Sequence, residues 1–154
     1  MTSLYVFEDH SREIEPLAGA VKLNRLVNRP GIIENLYPNL PKDCTLDMTA
    51  RVLAPETLLA FYDDGNAGLF FPYPHTQLYE GHYLFSTLRG RNARIVAQWM
   101  TQAVFDYTPA AGIVGLVPRE HRAARVMSRA IGCKPVGESV DCHGRSCITY
   151  LMER

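Results

Sequence analysis

Residues 112–138, GIVGLVPREHRAARVMSRAIGCKPVGE, decide the fold that this sequence predicts. The apolar run at 112–117 is typical of a short strand. Pro118 suits the first turn of a helix, and the pattern that follows continues to about Ile131. Gly132 suits the position after a helix C-terminus, where glycine readily adopts a left-handed backbone. The segment therefore predicts a strand, a helix and the start of a further strand.

Upstream of this segment, the apolar pattern changes from a strand period to a helix period. Residues 58–87 contain three strand-like runs, and the turn sequence DDGN at 63–66 separates the first two. Residues 92–107 place apolar side chains at helical spacing, which predicts an amphipathic helix. Trp99 lies among these apolar positions, so we expect it in the core. This part of the chain thus predicts an antiparallel meander followed by a helix.

The two ends of the chain complete the order of elements. Residues 4–7 predict a first strand, and residues 16–37 predict a helical region that is interrupted at 30–31 (Pro-Gly). Near the C-terminus, Val136 and residues 147–152 predict two last strands. Strand–helix–strand units give parallel pairs, whereas the meander is antiparallel. We therefore expect a single α+β domain with a mixed central sheet, an antiparallel meander and flanking helices.

Composition narrows the class of protein. Hydrophobic residues make up 47% of the 154 residues, which is enough to build a core and excludes a disordered chain. No apolar run approaches the roughly 20 residues of a membrane span. The N-terminus has no basic start followed by an apolar stretch, so we expect a cytoplasmic protein without membrane contact. Sixteen basic side chains balance sixteen acidic ones, so net charge favours neither nucleic acid nor membrane as a partner.

Charge is nevertheless distributed unevenly along the chain. Residues 1–88 carry six basic and eleven acidic side chains, whereas residues 89–154 carry ten and five. The C-terminal half is therefore suited to meet an anion. Alternatively, the two halves face each other and partly neutralise their charges.

The cysteine pattern predicts reduced thiols. The four cysteines include no C-x-x-C pair, and without a secretory signal we expect no disulfides. Cys133, Cys142 and Cys147 lie close in sequence to His143. Their spacing matches no standard zinc module, so we expect no metal site.

Segment 112–138 resembles the fifth strand and fourth helix of the GNAT (Gcn5-related N-acetyltransferase) superfamily. His121 stands at the position of the usual asparagine, and Ser128 at that of the usual tyrosine. The order of elements extends the resemblance over residues 1–154, while motif-like similarity is concentrated in residues 81–138. The resemblance implies a GNAT-like domain that binds acetyl-CoA and transfers the acetyl group to an amine.

The resemblance places the cofactor loop between the strand that ends at Thr87 and the following helix. In the family, a loop like Arg/Gln-x-x-Gly-x-Gly/Ala presents backbone N–H groups to the pyrophosphate, where the helix dipole favours negative charge. The cofactor-binding residues implied here are Leu88, Arg89, Gly90, Arg91, Asn92, Ala93 and Arg94. This loop has one glycine where two are common, and its arginines offer charge instead. We expect a groove between this strand and the strand beginning near Gly112. The alternative is a basic loop before an ordinary amphipathic helix.

The helix within 112–138 adds a basic stripe. Arg122, Arg125 and Arg129 fall within about 60° of one another at about 100° per residue, and apolar residues occupy the opposite arc. In GNAT-like folds this helix starts near the pantetheine arm, so the resemblance implies that His121 contacts the cofactor. Two alternatives stay open: the stripe is a solvated face, and His121 only caps the helix.

Acetyl transfer needs a base that takes the proton of the amine. Glu80, His82 and His75 lie on or before the strand that the resemblance turns towards the substrate. Glu80 and His82 are two residues apart and so share one face of a strand. Such a pair is able to hold a base near neutral pH. Alternatively, these residues are solvated on an exposed face of the sheet.

The acid for the leaving thiolate is often a helix tyrosine in this family, and here that residue is Ser128. A serine hydroxyl is a much poorer proton donor than a phenol. Tyr83 or Tyr107 would then have to substitute. For Cys133, a small apolar filler beneath the glycine turn is a simpler role than that of a nucleophile.

Two functions therefore follow from the sequence. The first is an acyl-CoA-dependent N-acyltransferase acting on a small-molecule or peptide amine. The second rests on residues 80–93 and 115–124, which are similar to small GNAT-like proteins of phages and prophages. That similarity implies a catalytically degenerate protein of virion head assembly or DNA delivery, with phage structural proteins as partners, in the host cytoplasm or virion. The strand–loop–helix at Arg89 favours the first function, and Ser128 favours the second.

Overall fold

The computed structural model describes residues 3–6 and 12–154, which form eight strands and five helices. In chain order these are β1 (Ser3–Val6), β2 (Arg12–Glu13), α1 (Pro16–Val27), α2 (Ile33–Leu36), α3 (Thr49–Leu53), β3 (Leu58–Asp63), β4 (Asn66–Pro72), β5 (Leu78–Phe85), α4 (Gly90–Tyr107), β6 (Gly112–Pro118), α5 (Arg122–Ala130), β7 (Lys134–Val140) and β8 (Ser146–Glu153). The predicted first strand is present as β1, and Phe7, which we expected in it, lies outside the described residues. The short elements β2 and α3 had no counterpart in the sequence prediction.

All of these strands join one sheet in the order β2-β1-β3-β4-β5-β6-β8-β7. The pairs β1–β3 and β5–β6 are parallel, and the remaining pairs are antiparallel. A parallel pair needs a crossover connection, which α4 supplies between β5 and β6. Strands β3, β4 and β5 form the predicted antiparallel meander. The α+β prediction with a mixed sheet and flanking helices is confirmed.

The sheet separates two apolar clusters, because neighbouring residues of a strand point to opposite faces. Leu59 and Phe61 of β3 pack with α1 in one cluster. Leu58 and Ala60 of the same strand pack with α4 in the other. We call these two sides the α1 face and the α4 face. Within the described ranges, no helix has the length and apolar character that crossing a bilayer requires.

Helix α4 packs along most of its apolar positions, but Trp99 and Tyr107 are exposed and the polar Thr101 is buried. Met100 is fully buried, whereas Trp99 is 50% exposed. Adjacent residues differ by about 100° around a helix axis. Met100 lies in the middle of the buried arc of α4, so Trp99 lies at the edge of that arc. The prediction that Trp99 belongs to the core is therefore wrong. The helix also begins at Gly90, two residues before the predicted start.

Helix α5 differs more strongly from its prediction. Pro118 ends β6 instead of opening the helix, which begins at Arg122. The apolar arc is not the packed side, because Val126 is 60% exposed and no residue of α5 is fully buried. Arg125 is half-buried, and its Nε atom has no hydrogen-bond partner within the described residues. The basic stripe is therefore solvated at Arg122 and Arg129 but not at Arg125.

Candidate active site

Strands β5 and β6 pair over three residues only, and the last pair is Glu80 with Val114. Beyond this point β5 stays paired with β4 over 81–85, and β6 stays paired with β8 over 115–118. Beyond Glu80 and Val114, the edges of β5 and β6 that face each other are therefore no longer paired. We call the region between 81–85 and 115–118, where the two strands are no longer paired with each other, the cleft. The pairing ends in the part of the sheet where the sequence predicted a groove.

A buried amide holds the loop at the end of the cleft. Asn66 is fully buried, and its Oδ1 accepts hydrogen bonds from the N–H groups of Thr87 at 3.2 Å and Leu88 at 3.1 Å. Its Nδ2 donates to Asp63 Oδ1 at 2.8 Å and to Thr87 Oγ1 at 2.7 Å. This side chain thereby links the β3–β4 hairpin to the loop before α4. In the sequence it is an ordinary turn asparagine, so its role as a positioning residue was missed.

Helix α4 starts with a glycine in the left-handed region and with backbone N–H groups that precede the first hydrogen bond of the helix. Gly90 has φ +57°, and a Cβ built on it would meet nothing within 4 Å. The first hydrogen bond of the helix runs from the N–H of Ala93 to the carbonyl of Arg89 at 3.3 Å. The N–H groups of Gly90, Arg91 and Asn92 precede that bond and are among the orphan donors of a helix N-terminus. This open end suits an anion.

The seven predicted loop residues divide by their surroundings. Leu88 packs partly against the core, and Ala93 is buried in it. The guanidinium of Arg89 donates to carbonyl oxygens of its own loop, including that of Leu88 at 2.7 Å. Arg89 therefore stabilises the loop. The other four residues are exposed: Gly90, Arg91, Asn92 and Arg94.

Of the three candidate bases, two lie together. Glu80 Oε1 is 3.3 Å from His82 Nε2, and their side chains are only 20% and 34% exposed. The hydrogen bond with His82 lowers the pKa of Glu80, although burial acts in the opposite direction. The imidazole also stacks on the ring of Phe71, with 5.6 Å between centroids. His75 lies apart on the exposed turn between β4 and β5. The Glu80–His82 pair is thus half-buried at the last residue pair before the cleft.

A cavity of about 170 Å³ opens beside this pair on the α1 face. Leu84 of β5 belongs to the α1 cluster, and His82 shares its face because the two residues are two apart. The residues that line the cavity are Leu36, Met48, Arg51, Leu69, Phe71, His82 and Leu84. The sequence analysis identified His82 alone among them. The cavity gives the pair an adjoining apolar space.

Two asparagines, Asn24 in α1 and Asn28 directly after it, bind the segment that carries Met48 to the cavity. Asn28 accepts from the N–H of Leu46 at 2.7 Å and donates to its carbonyl at 2.8 Å. Asn24 Oδ1 accepts from the N–H of Met48 at 2.7 Å. These bonds fix the segment that leads into α3, and they place Met48 and Arg51 at the cavity. No local sequence signal marks such a long-range side-chain-to-backbone contact.

The candidate acids have other partners or positions. The hydroxyl of Ser128 donates to the carbonyl of Ala124 at 2.8 Å. The hydroxyl of Tyr83 shares a 2.5 Å hydrogen bond with Thr101 Oγ1, and burial raises the pKa of Tyr83. Tyr107 ends α4, about 26 Å along the axis from the start of that helix at about 1.5 Å per residue. Ser128 and Tyr83 thus have engaged hydroxyls, and Tyr107 lies at the far end of α4.

His121 and Cys133 complete the residues predicted from sequence. His121 occupies the N-cap position of α5, but its side chain makes no capping hydrogen bond. Burial raises the pKa of the Cys133 thiol to about 11, so the nucleophilic thiolate is scarce at neutral pH. Among the residues that the structure describes, no group of three or more His, Cys, Asp and Glu side chains is placed to hold a metal ion.

Comparisons with known proteins were made with both the sequence and the structure. No protein-family model matches the sequence, and no curated protein matches it. AAC(6')-Ib in complex with ribostamycin and coenzyme A aligns over 93% of this chain and 92% of its own, with a TM-score of 0.67 and 12% identity. The putative acetyltransferase yncA from Salmonella typhimurium, solved with acetyl-CoA, aligns over 92% and 91%, with a TM-score of 0.66 and 11% identity.

A GNAT-family acetyltransferase from Bacillus anthracis aligns less completely. The alignment covers 57% of this chain and 57% of that chain, with a TM-score of 0.50 and 19% identity. At such identities the similarity shows the fold alone. The chain therefore has the fold of GNAT acetyltransferases, as the sequence resemblance implied. The alternative role in a phage virion gains no support from these structures.

Proposed function

We propose that this protein is an N-acetyltransferase that uses acetyl-CoA. The observation that carries the proposal is the cleft between β5 and β6, because two different chemical sites border it. At one end lies the loop 88–94 with its unused amides and arginines. Where the strands part lies the half-buried pair of Glu80 and His82. A cofactor spanning the cleft would place an acyl group beside a base.

The loop residues fit the pyrophosphate of such a cofactor. The surface above Gly90 is open, and the N–H groups of Gly90, Arg91 and Asn92 are able to donate to phosphate oxygens. Arg91 and Arg94 add positive charge, while Arg89 holds the loop in shape. Acetyl-CoA supplies the activated acetyl thioester. The protein's part is to bind and orient it and to move a proton.

We assign the base role to His82. Its Nε2 contacts Glu80, so a proton on that nitrogen is held by the carboxylate, and Nδ1 remains as the acceptor. The amine nitrogen would bond to the acetyl carbon while the carbon–sulfur bond breaks and CoA leaves as the thiolate, and Nδ1 would take the proton of the amine. Glu80 then stabilises the imidazolium, so it acts as a positioning residue. The hydroxyl of Ser128 donates to the helix backbone and is a poor acid for the leaving thiolate. A tyrosine at this position would supply a phenol, so we expect Ser128→Tyr to raise the rate.

Calorimetric titration with acetyl-CoA tests the proposal at its first step. A charge-assisted contact to phosphate contributes about 1.5–3 kcal/mol, and about 1.4 kcal/mol corresponds to a factor of ten. Replacing Arg91 and Arg94 together by Ala should therefore weaken binding at least tenfold, and added salt should partly mimic the loss. Arg25→Ala removes an exposed arginine of α1 and serves as the control, with unchanged affinity. Absence of any heat at millimolar acetyl-CoA would refute the proposal.

The Glu80–His82 contact also predicts a pH dependence of stability. Because the pKa of Glu80 is lowered from 4.5 in the folded state, the contact stabilises the fold above that pH. The contribution is lost as the pH falls through the folded value. The difference in Tm between the wild type and Glu80→Gln should therefore be largest above about pH 4.5 and should vanish in more acidic buffer. A difference that grows on acidification would contradict the assigned contact.

A further inference from the structure

We propose that the acceptor of this N-acetyltransferase is an apolar α-amino acid, with its side chain in the cavity on the α1 face, its carboxylate at Arg51 and its amine at His82. The inference rests on the proposed function, because it names the substrate class of the same site. It uses three features of the cavity: its apolar wall, its one cationic group, and the position of that group relative to the base.

The wall selects an apolar side chain of limited size. Five of the seven residues that line the cavity are apolar: Leu36, Met48, Leu69, Phe71 and Leu84. Its volume is about 170 Å³. A cavity of about 150 Å³ lined by Leu, Ile and Phe is large enough for one benzene ring. The cavity therefore suits a benzyl or branched aliphatic side chain.

Arg51 supplies the anion-binding group. Its guanidinium lies over the ring of Phe71, 4.2 Å from the centroid, and the residue is exposed at the cavity rim. No carboxylate of the described residues forms an ion pair with it. An exposed guanidinium without an ion-pair partner among the described residues is able to bind a carboxylate through two N–H groups.

The two polar residues that line the cavity, Arg51 and His82, match the two polar groups of an α-amino acid. Arg51 and His82 both contact the ring of Phe71, one as a cation over it and the other as a stacked imidazole. The groups proposed to receive the carboxylate and the amine thus contact the same ring and line the same cavity. In an α-amino acid these two functions share one carbon. The positive charge of Arg51 also disfavours polyamines and other polycations.

Three acceptors of matched shape or charge test the proposal. L-Phenylalanine carries the ring, the amine and the carboxylate; phenethylamine lacks only the carboxylate; spermidine is a polycation. Release of the CoA thiol from acetyl-CoA measures turnover, and calorimetric titration of each acceptor measures binding without turnover. We expect kcat/KM for L-phenylalanine to exceed that for phenethylamine at least tenfold and spermidine to be the poorest acceptor.

Substitution of Arg51 separates the carboxylate contact from the cavity. Arg51→Met should lower affinity and kcat/KM for L-phenylalanine at least tenfold, and the ratio of kcat/KM for L-phenylalanine to that for phenethylamine should fall by a similar factor. Arg25→Met on α1 is the control and should change neither. Since Arg51 is exposed, loss of its contact with the ring of Phe71 should lower the Tm only slightly, and the same samples verify that the variant is folded.

The outcomes distinguish the two proposals. If phenethylamine or spermidine is acetylated as well as L-phenylalanine, the amino-acid inference is overturned while the acetyltransferase proposal stands. If L-phenylalanine neither binds nor is acetylated by a protein that binds acetyl-CoA, the inference is likewise overturned. If acetyl-CoA itself gives no heat, the proposed function fails, and binding of L-phenylalanine in an Arg51-dependent manner would still show the cavity site.

Discussion

Helices α4 and α5 each follow one of the two strands that part at the cleft, yet they meet the rest of the protein differently. Helix α4 buries seven residues, and Met100 at their centre is fully inaccessible. Helix α5 buries none; it leaves Val126 exposed and turns the half-buried Arg125 and Ser128 inward. Apolar spacing therefore identified the packed side of α4 but not that of α5.

The difference has a functional meaning. A helix that packs on a core follows its apolar arc, because burial of that arc stabilises it. A helix whose inner side is polar departs from this rule, and such departures are expected at functional sites. Arg125 is an example, because its Nε atom is buried and has no hydrogen-bond partner among the described residues. The packed α4 provides a rigid support for the loop at its start, and α5 provides a polar flank.

The largest expected effect tests the contrast directly. Met100→Ala removes a fully buried side chain from α4 and should lower the free energy of unfolding by about 2–5 kcal/mol. Val126→Ala removes an exposed side chain from α5 and should change it by less than about 0.5 kcal/mol. Urea denaturation of both variants measures the two values. Similar losses for the two variants would contradict the different packing of the helices.

The next effect concerns the support of α4 at its start. Asn66→Ala removes a buried amide and leaves the N–H groups of Thr87 and Leu88 without their acceptor, which should cost about 1–3 kcal/mol of unfolding free energy. It should also weaken acetyl-CoA binding, since the loop loses its anchor. Asn92→Ala at the exposed side of the loop should leave stability unchanged. An Asn66→Ala protein with wild-type urea midpoint would show that the amide does not hold the loop.

A smaller effect is expected at the edge of the packed arc of α4. Trp99 is 50% exposed, so Trp99→Ala should cost about 1–2 kcal/mol, less than the 3–5 kcal/mol of a core aromatic residue. Thermal unfolding alongside Met100→Ala supplies the comparison. A loss larger than that of Met100→Ala would place Trp99 in the core after all.

The smallest effect tests the left-handed glycine at the start of α4. Gly90→Ala should cost about 1 kcal/mol, because a Cβ is unfavourable at φ +57°. Gly90→Asn should cost less, since asparagine tolerates this conformation. Gly137→Ala in β7 is the matched control, because a Cβ there also meets nothing within 4 Å and its backbone is not left-handed. Equal stability of the Gly90→Ala and Gly137→Ala proteins would show that a Cβ at position 90 causes no backbone strain.

Part of the candidate site was predictable because it depends on local geometry. Glu80 and His82 were expected on one face of a strand, since residues two apart in a strand share a face. The glycine at position 90 was expected at a helix start. The cavity was not predictable, because Met48 and Arg51 reach it through a segment that Asn24 and Asn28 bind from α1. Those contacts join residues far apart in sequence, and no periodic pattern in the sequence predicts them.

The sequence by itself determined the order of the longer strands and helices, the mixed α+β character and the shared face of Glu80 and His82. These follow from periodicity, turn residues and backbone preferences, which act over a few residues. The tertiary structure alone decided where β5 and β6 part, which side of α5 turns inward, and that Asn66 holds the loop before α4. Each of these depends on hydrogen bonds and packing between distant segments, whose free energies are settled only when the whole sheet is assembled.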